Sequence, residues 1–100
     1  MEMEKVNAAY ETLFIVDLSL GDDGVRAMTD RFLAMIAEAG EITETSEWGK
    51  RRLAYPINDL NEGYYVLVNY TAPAEFPAEL ERVFNITEGI MRSMTIRLGE

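Results

Sequence analysis

The chain has 100 residues, of which 48% are hydrophobic, and this suits one domain, residues 1–100, with a single core. Its 18 acidic residues against 9 basic ones give a formal net charge of −9, so the overall field repels nucleic acid. Cysteine and histidine are absent, which excludes disulfides and thiolate metal sites, removes the commonest general base and weighs against an enzyme.

The first part of the chain predicts a strand and then an amphipathic helix. A run of β-branched and aromatic residues without a breaker predicts a strand over Ala8–Leu18. The polar segment 19–24 predicts a turn, with Asp22 or Asp23 as the N-cap of the following helix. Apolar residues then recur at steps of three and four as far as Gly40, a favourable residue just after a helix.

The middle of the chain predicts a hairpin of two strands. Residues 42–57 form a long predicted strand that bends at Trp48 and Gly49, because glycine inside a strand often marks a bulge. Pro56 has no N–H to donate, so this strand is expected to lie at a sheet edge or to end there. Residues 58–63 predict a polar turn, and residues 64–71 predict a strand that pairs back on the first.

The last part predicts a shorter helix and a final strand. Pro77 suits the first helical position, and Leu80, Val83 and Phe84 form an apolar stripe behind it. Residues 87–89 end this helix, and residues 90–98 predict the last strand. The order β-α-β-β-α-β predicts an α+β fold of the ferredoxin-like type, a four-stranded antiparallel sheet with two helices on one face.

This architecture leaves the other sheet face without a covering layer. The first and third predicted strands carry aliphatic and aromatic side chains on both faces, so the uncovered face is expected to be apolar. An exposed apolar patch indicates a partner surface. The alternative is that loops or termini cover it.

Three adjacent cations, Lys50, Arg51 and Arg52, form the densest basic cluster in this acidic chain. Alternation along a strand predicts that Arg51 points opposite to the other two, so only part of the cluster can serve one phosphate-lined surface. The alternative is that these charges protect an edge strand from aggregation. Arg92 and Arg97 are predicted on opposite faces of the last strand, where either could join the cluster or remain a solvated surface charge.

The aromatic and acidic residues near this cluster allow two interpretations each. Trp48 is either an anchor at the bend or a contact residue, and three tyrosines either stack on bases or pack: Tyr55, Tyr64 and Tyr65. Three carboxylates are predicted to form an acidic stripe rather than a metal set: Glu41, Glu44 and Glu47. There is no glycine-rich phosphate loop either, so we expect no catalytic residue, metal or cofactor.

Several segments together resemble one family. They are Tyr10-Glu11-Thr12, the segment Glu47–Ile57 with its Leu-Ala-Tyr-Pro-Ile run after paired basic residues, and Glu62-Gly63-Tyr64-Tyr65. In these segments, and over nearly its whole length, the chain resembles the bacterial small-subunit ribosomal protein S-six family. The combination is specific to that family within a β-α-β-β-α-β chain of this size.

The resemblance implies a structural, non-catalytic role in the ribosome. Members of the family pair with ribosomal protein S-eighteen, and the heterodimer binds a junction in the central domain of small-subunit ribosomal RNA. The matching motif positions imply that RNA or partner contacts come from Lys50, Arg51, Arg52, Tyr55 and Pro56, with weaker candidates at Tyr10, Tyr64 and Arg92. Many relatives carry a charged tail after the last strand, whereas this sequence stops at Gly99-Glu100.

Two rival functions of the same architecture are less well supported. A regulatory ligand-binding or protein-interaction module would use a dimer interface and loop-borne contacts. An acylphosphatase-like enzyme needs an anion-binding loop with an arginine, whereas segment 19–24 holds two aspartates and no arginine. No secretory signal or membrane-length apolar stretch is present, so we expect a cytoplasmic protein with no membrane partner. The resemblance implies that it is located at the ribosome and has no small-molecule substrate.

Overall fold

The computed structural model describes residues 7–57 and 60–98, with the side chains of residues 53–57 and 60–61 outside the description. Within these residues the chain forms four strands and two α-helices in the predicted order β-α-β-β-α-β. A short 3₁₀ helix, Leu18–Leu20, joins the first strand to the first helix. The elements are β1 Asn7–Val16, α1 Gly21–Ala39, β2 Glu41–Ile57, β3 Leu60–Pro73, α2 Phe76–Ile86 and β4 Ile90–Arg97.

The four strands form one antiparallel sheet in the order β2-β3-β1-β4, which confirms the ferredoxin-like prediction. Residues directly opposite each other in such a sheet share a face. Tyr10 lies opposite Tyr70 and Phe14 opposite Val66, and all four are buried. This face, which we call the helical face, packs against α1 and α2.

Three phenylalanines join the sheet to both helices. The ring centroid of Phe14 on β1 lies 5.8 Å from that of Phe32 on α1 and 5.2 Å from that of Phe84 on α2. Phe32 and Phe84 stack directly, with their centroids 4.4 Å apart. None of the three is more than 2% exposed. Because one aromatic cluster contacts all three elements, it fixes the helices to the same side of the sheet.

Several boundaries differ from the sequence prediction; for example, α2 begins at Phe76, one residue before Pro77. The first strand ends at Val16, because Asp17 accepts a hydrogen bond from the Ser19 amide and starts the 3₁₀ helix. The prediction that Asp22 or Asp23 is the N-cap of α1 was wrong, since the helix already begins at Gly21 and both aspartates lie in its first turn. Residues 60–63 were predicted to be turn but belong to β3, which begins at Leu60.

Strand β2 is an edge strand with interrupted pairing, as predicted. Its register with β3 shifts between Ile42 and Glu44, between Glu47 and Gly49, and between Arg52 and Ile57. Gly49 has φ +82°, a conformation that glycine adopts readily, so the bend falls at the predicted glycine. The last shift spans Pro56, whose side chain lies outside the described residues.

Candidate interaction surface on the open sheet face

The sheet face opposite the helices, which we call the open face, changes character along the strands. At one end a row across the sheet carries Glu44, Asn69, Glu11 and Ile96. The next row carries Ser46, Leu67, Leu13 and Met94. The third row carries Tyr65 on β3, Ile15 on β1 and Arg92 on β4. Arg51 on β2 lies in the row after that. The face therefore runs from acidic through apolar to basic.

The apolar part of this face forms an open groove of about 290 Å³. Six described residues line it: Glu11, Leu13, Trp48, Leu67, Met94 and Ile96. Met94 is 52% exposed and Ile96 49% exposed, which is costly for large apolar side chains in water. The predicted apolar patch is thus present among the described residues, and it is concentrated where β1, β3 and β4 meet.

Trp48 forms one wall of the groove because it is the extra residue of the second β2 bulge. Its ring stacks on Tyr65, with centroids 6.0 Å apart and planes 15° apart. The guanidinium carbon of Arg51 lies 5.4 Å from the Trp48 centroid. Trp48 therefore acts both as the predicted anchor at the bend and as a surface residue, since it remains 41% exposed.

The structure divides the basic cluster as the alternation predicted. Arg51 lies opposite Gly63 on the open face, whereas Lys50 and Arg52 lie opposite Tyr64 and Glu62 on the other side. Lys50 there lines a second depression beside the start of α1, with Asp22, Val25 and Arg26. All three cations are exposed. No single flat surface can therefore engage the whole cluster at once.

A polar cluster next to Lys50 was not found from the sequence. Arg26 on α1 donates two hydrogen bonds to the Glu47 carboxylate, at 2.8 and 3.1 Å, and the Tyr64 hydroxyl donates a third at 2.6 Å. The Arg26 bonds, followed by the Tyr64 bond, lower the pKa of Glu47, and the bond to Glu47 raises the pKa of Tyr64. This cluster ties the first helix to the edge strand.

The acidic stripe predicted on β2 was wrong in its third member. Glu41 and Glu44 lie opposite Thr71 and Asn69 on the open face. Glu47 lies on the opposite side, where it binds Arg26. Glu44 and Glu47 are three residues apart with no bulge between them, so they alternate to opposite faces, whereas the extra residue at the first bulge places Glu44 on the same face as Glu41.

The remaining predicted contact residues fall in different surroundings. Tyr10 is 6% exposed with its ring centroid 5.8 Å from that of Tyr70, so its ring belongs to the core and does not suit a surface contact. Tyr64 is half-buried and bound to Glu47. Arg92 lies exposed on the open face opposite Ile15. The side chains of Tyr55 and Pro56 lie outside the described residues.

The described residues contain neither a metal-binding cluster nor a membrane-spanning helix. Within residues 7–57 and 60–98 no three His, Cys, Asp or Glu side chains are grouped so as to hold a metal ion. No helix in the described part of the chain is long and apolar enough to cross a membrane. The most distinctive feature is instead a polarised sheet face with an apolar groove. The fold and site define a ferredoxin-like domain that works through its surfaces.

Comparison with known proteins identifies the family to which this domain belongs. The family model for Ribosomal protein S6 matches residues 9–97. The small ribosomal subunit protein bS6 of Clostridium novyi is 51% identical over 88 residues, which cover 87% of this chain and 93% of the relative. The protein of the same name from Caldanaerobacter subterraneus subsp. tengcongensis is 44% identical over 93 residues, covering 92% and 98%.

A solved structure agrees with these sequence relatives. The 30S ribosomal protein S6 of Thermotoga maritima superposes with a TM-score of 0.86 at 27% identity, covering 93% of this chain and 89% of that one. The chain belongs to the ribosomal protein S6 family. It is a structural, non-enzymatic protein of the small ribosomal subunit and is located at the ribosome, as the resemblance implied.

Proposed function

We propose that this chain binds the central domain of small-subunit ribosomal RNA as a heterodimer with ribosomal protein S-eighteen. The observation that carries the proposal is the concentration of exposed cations on β2, at positions 50–52, in a family member whose net charge is −9. A protein with this charge gains little from long-range attraction to RNA. A basic partner that offsets the charge would make RNA binding favourable.

The division of the cations supports contact with RNA from two directions. Arg51 extends from the open face beside Trp48, and Arg52 extends from the other side of the same strand. Both guanidinium groups can form paired hydrogen bonds with phosphate oxygens. Because β2 is an edge strand, an RNA backbone passing along the edge could reach both groups.

The test is a gel-shift titration of the central-domain RNA junction at two salt concentrations, with and without S-eighteen. We expect tight, salt-sensitive binding only when the partner is present. Arg51→Ala and Arg52→Ala should each weaken it and reduce the slope of log affinity against log salt by about 1. Arg82→Ala is the matched control, because Arg82 is exposed on α2 and bonds to Glu79 on its own helix.

The outcomes separate the parts of the proposal. If all three substitutions weaken RNA binding equally, the effect comes from overall charge, and the assignment of Arg51 and Arg52 as RNA contacts is wrong. Tight binding of RNA by the isolated chain would contradict the role given to the partner. If the RNA does not shift on the gel either with or without S-eighteen, the proposed RNA-binding function is wrong.

A further inference from the structure

We propose that Met94 is a site of reversible oxidation by hydrogen peroxide, which converts its thioether to a sulfoxide and makes the apolar groove of the open face polar. Met94 lies on β4, where it lines the groove and is 52% exposed. The inference goes beyond the proposed function, because it needs neither RNA nor a protein partner.

The composition of the chain directs peroxide to methionine. The sequence has six methionines and no cysteine, so their thioethers are its only sulfur nucleophiles. A thioether has no proton to lose before it reacts, whereas a cysteine reacts as its thiolate. Access of the peroxide to each sulfur therefore decides which methionine is oxidised first.

The fold separates Met94 from the other methionines that the structure describes. Met28 and Met35 on α1 pack against the buried core. The sulfur of Met91 lies over the buried Gly63, 3.3 Å from the point that a Cβ atom there would occupy. All three side chains are half-buried, so Met94 is the one exposed methionine in the described part of the chain.

The step is a two-electron oxidation of the sulfur. A sulfur lone pair attacks one oxygen of hydrogen peroxide, so that an S–O bond forms and the O–O bond breaks. The hydroxide that leaves takes the proton from the transferred oxygen, which yields water and the sulfoxide. Reduction by two thiols, catalysed by methionine sulfoxide reductases, restores the thioether and yields a disulfide and water.

The groove responds to this change because its lining is apolar. Leu13, Leu67 and Ile96 line it beside Met94, and Trp48 forms a wall. A sulfoxide oxygen accepts hydrogen bonds that aliphatic side chains do not donate, so it holds water in the groove. Since the Met94 side chain already reaches solvent, this water arrives without any opening of the sheet. Oxidation therefore alters the surface and preserves the fold.

The experiment treats the folded full chain with dilute hydrogen peroxide and follows each methionine by mass spectrometry after trypsin digestion. Trypsin cuts after lysine and arginine, so the four described methionines fall in separate peptides: 27–31, 32–50, 83–92 and 93–97. We expect the peptide that holds Met94, the last of these, to gain one oxygen about fivefold faster than the other three. In denaturing urea, where exposure no longer differs, the four rates should agree within about twofold.

Tryptophan fluorescence measures the effect on the groove. Trp48 is the one tryptophan of the sequence, so its emission reports on the groove wall. Oxidation should shift this emission to longer wavelength, because the indole then lies beside a more polar group. Met94→Leu keeps an apolar side chain of similar volume without the sulfur, so it should abolish the shift. Met91→Leu is the matched control on the same strand and should retain the shift.

Each outcome decides one step of the inference. If another described methionine is oxidised as fast as Met94, or if the preference for Met94 persists in urea, the fold does not select this sulfur and the inference is wrong. If Met94→Leu shows the same shift of Trp48 emission as wild type, the proposed effect on the groove is wrong. Methionine sulfoxide reductases with a thiol should restore the original emission, and an emission that stays shifted would contradict reversibility. The oxidised chain should unfold in urea within about 0.5 M of the untreated chain, and a larger fall would contradict a change confined to the surface.

Discussion

Replacing Gly40 by alanine should be among the most damaging small changes in this protein. Gly40 lies between α1 and β2, where the helix end passes close to the central strand β3. A Cβ atom at this position would lie 1.9 Å from the Thr71 carbonyl oxygen and 3.0 Å from the Ala72 Cα, whereas ordinary van der Waals contact begins at 3.4 Å. Both neighbours are backbone atoms, so no side-chain rotation can relieve the overlap.

The expected loss of stability follows from the backbone that must move to make room for the Cβ atom. Thr71 pairs with Ala9 on one side and Glu41 on the other, so displacing its carbonyl by more than an ångström disturbs two strand pairs. Overpacking usually costs about 1–3 kcal/mol, and a rigid backbone places this site at or above about 3 kcal/mol. With a urea m-value of about 1.5 kcal/mol/M, the midpoint of unfolding should fall by about 2 M.

The assay is urea unfolding followed by far-ultraviolet circular dichroism, with Gly49→Ala as the control. Gly49 has φ +82°, but no heavy atom lies within 4 Å of the point that a Cβ would occupy, so alanine there meets backbone strain without a clash. Its cost should be about 1 kcal/mol. Equal losses at Gly40 and Gly49, or a Gly40→Ala midpoint within about 0.5 M of wild type, would refute the reasoning from close approach.

Three further changes test the packing and the polar contacts, each by urea unfolding. Phe32→Ala should lose about 3–5 kcal/mol, since the ring is fully buried between the sheet and the second helix. Tyr70→Phe should lose about 1 kcal/mol, because it removes a buried hydroxyl that bonds to Thr12 at 2.8 Å. Glu47→Gln should lower the stability at pH 7 by less than either of these two changes. Hydrogen bonds from Arg26 lower the folded-state pKa of Glu47, so its contribution is present above the ordinary value of 4.5 and is lost as pH falls through the folded pKa. The wild-type and Glu47→Gln midpoints should therefore converge in acid, and a gap that stays constant would contradict the assignment.

The fold was predictable because each element carries a strong local pattern. The three- and four-residue spacing in α1 and the strand-forming run in β1 dictate their type whatever their surroundings. The boundaries depend on contacts that the pattern does not contain. The Asp17 side chain starts a 3₁₀ helix by accepting from Ser19, and this shortens β1 and moves the start of α1 to Gly21.

The candidate site was predictable in outline for a similar reason. Alternation along a strand separates Arg51 from Lys50 and Arg52 without knowledge of the neighbouring strands. It does not tell which face is covered, so nothing in the pattern rejects Tyr10 as a contact residue. Only packing against Tyr70 and the helices shows that the Tyr10 side of β1 is the inner one.

The bulges explain why the polarity of the open face was beyond sequence reasoning. A one-residue insertion reverses which residues face the helices, and β2 contains two such insertions, at Thr43 and Trp48. Between them Glu44 turns to the open face and Glu47 to the helical side, where it meets Arg26. After the second insertion the original alternation returns, so Arg51 lies on the open face as it would in a strand without bulges. The position of Glu44 on the open face and the hydrogen bonds from Arg26 to Glu47 therefore both depend on the first bulge. The position of Arg51 on the open face depends on the second bulge reversing the effect of the first.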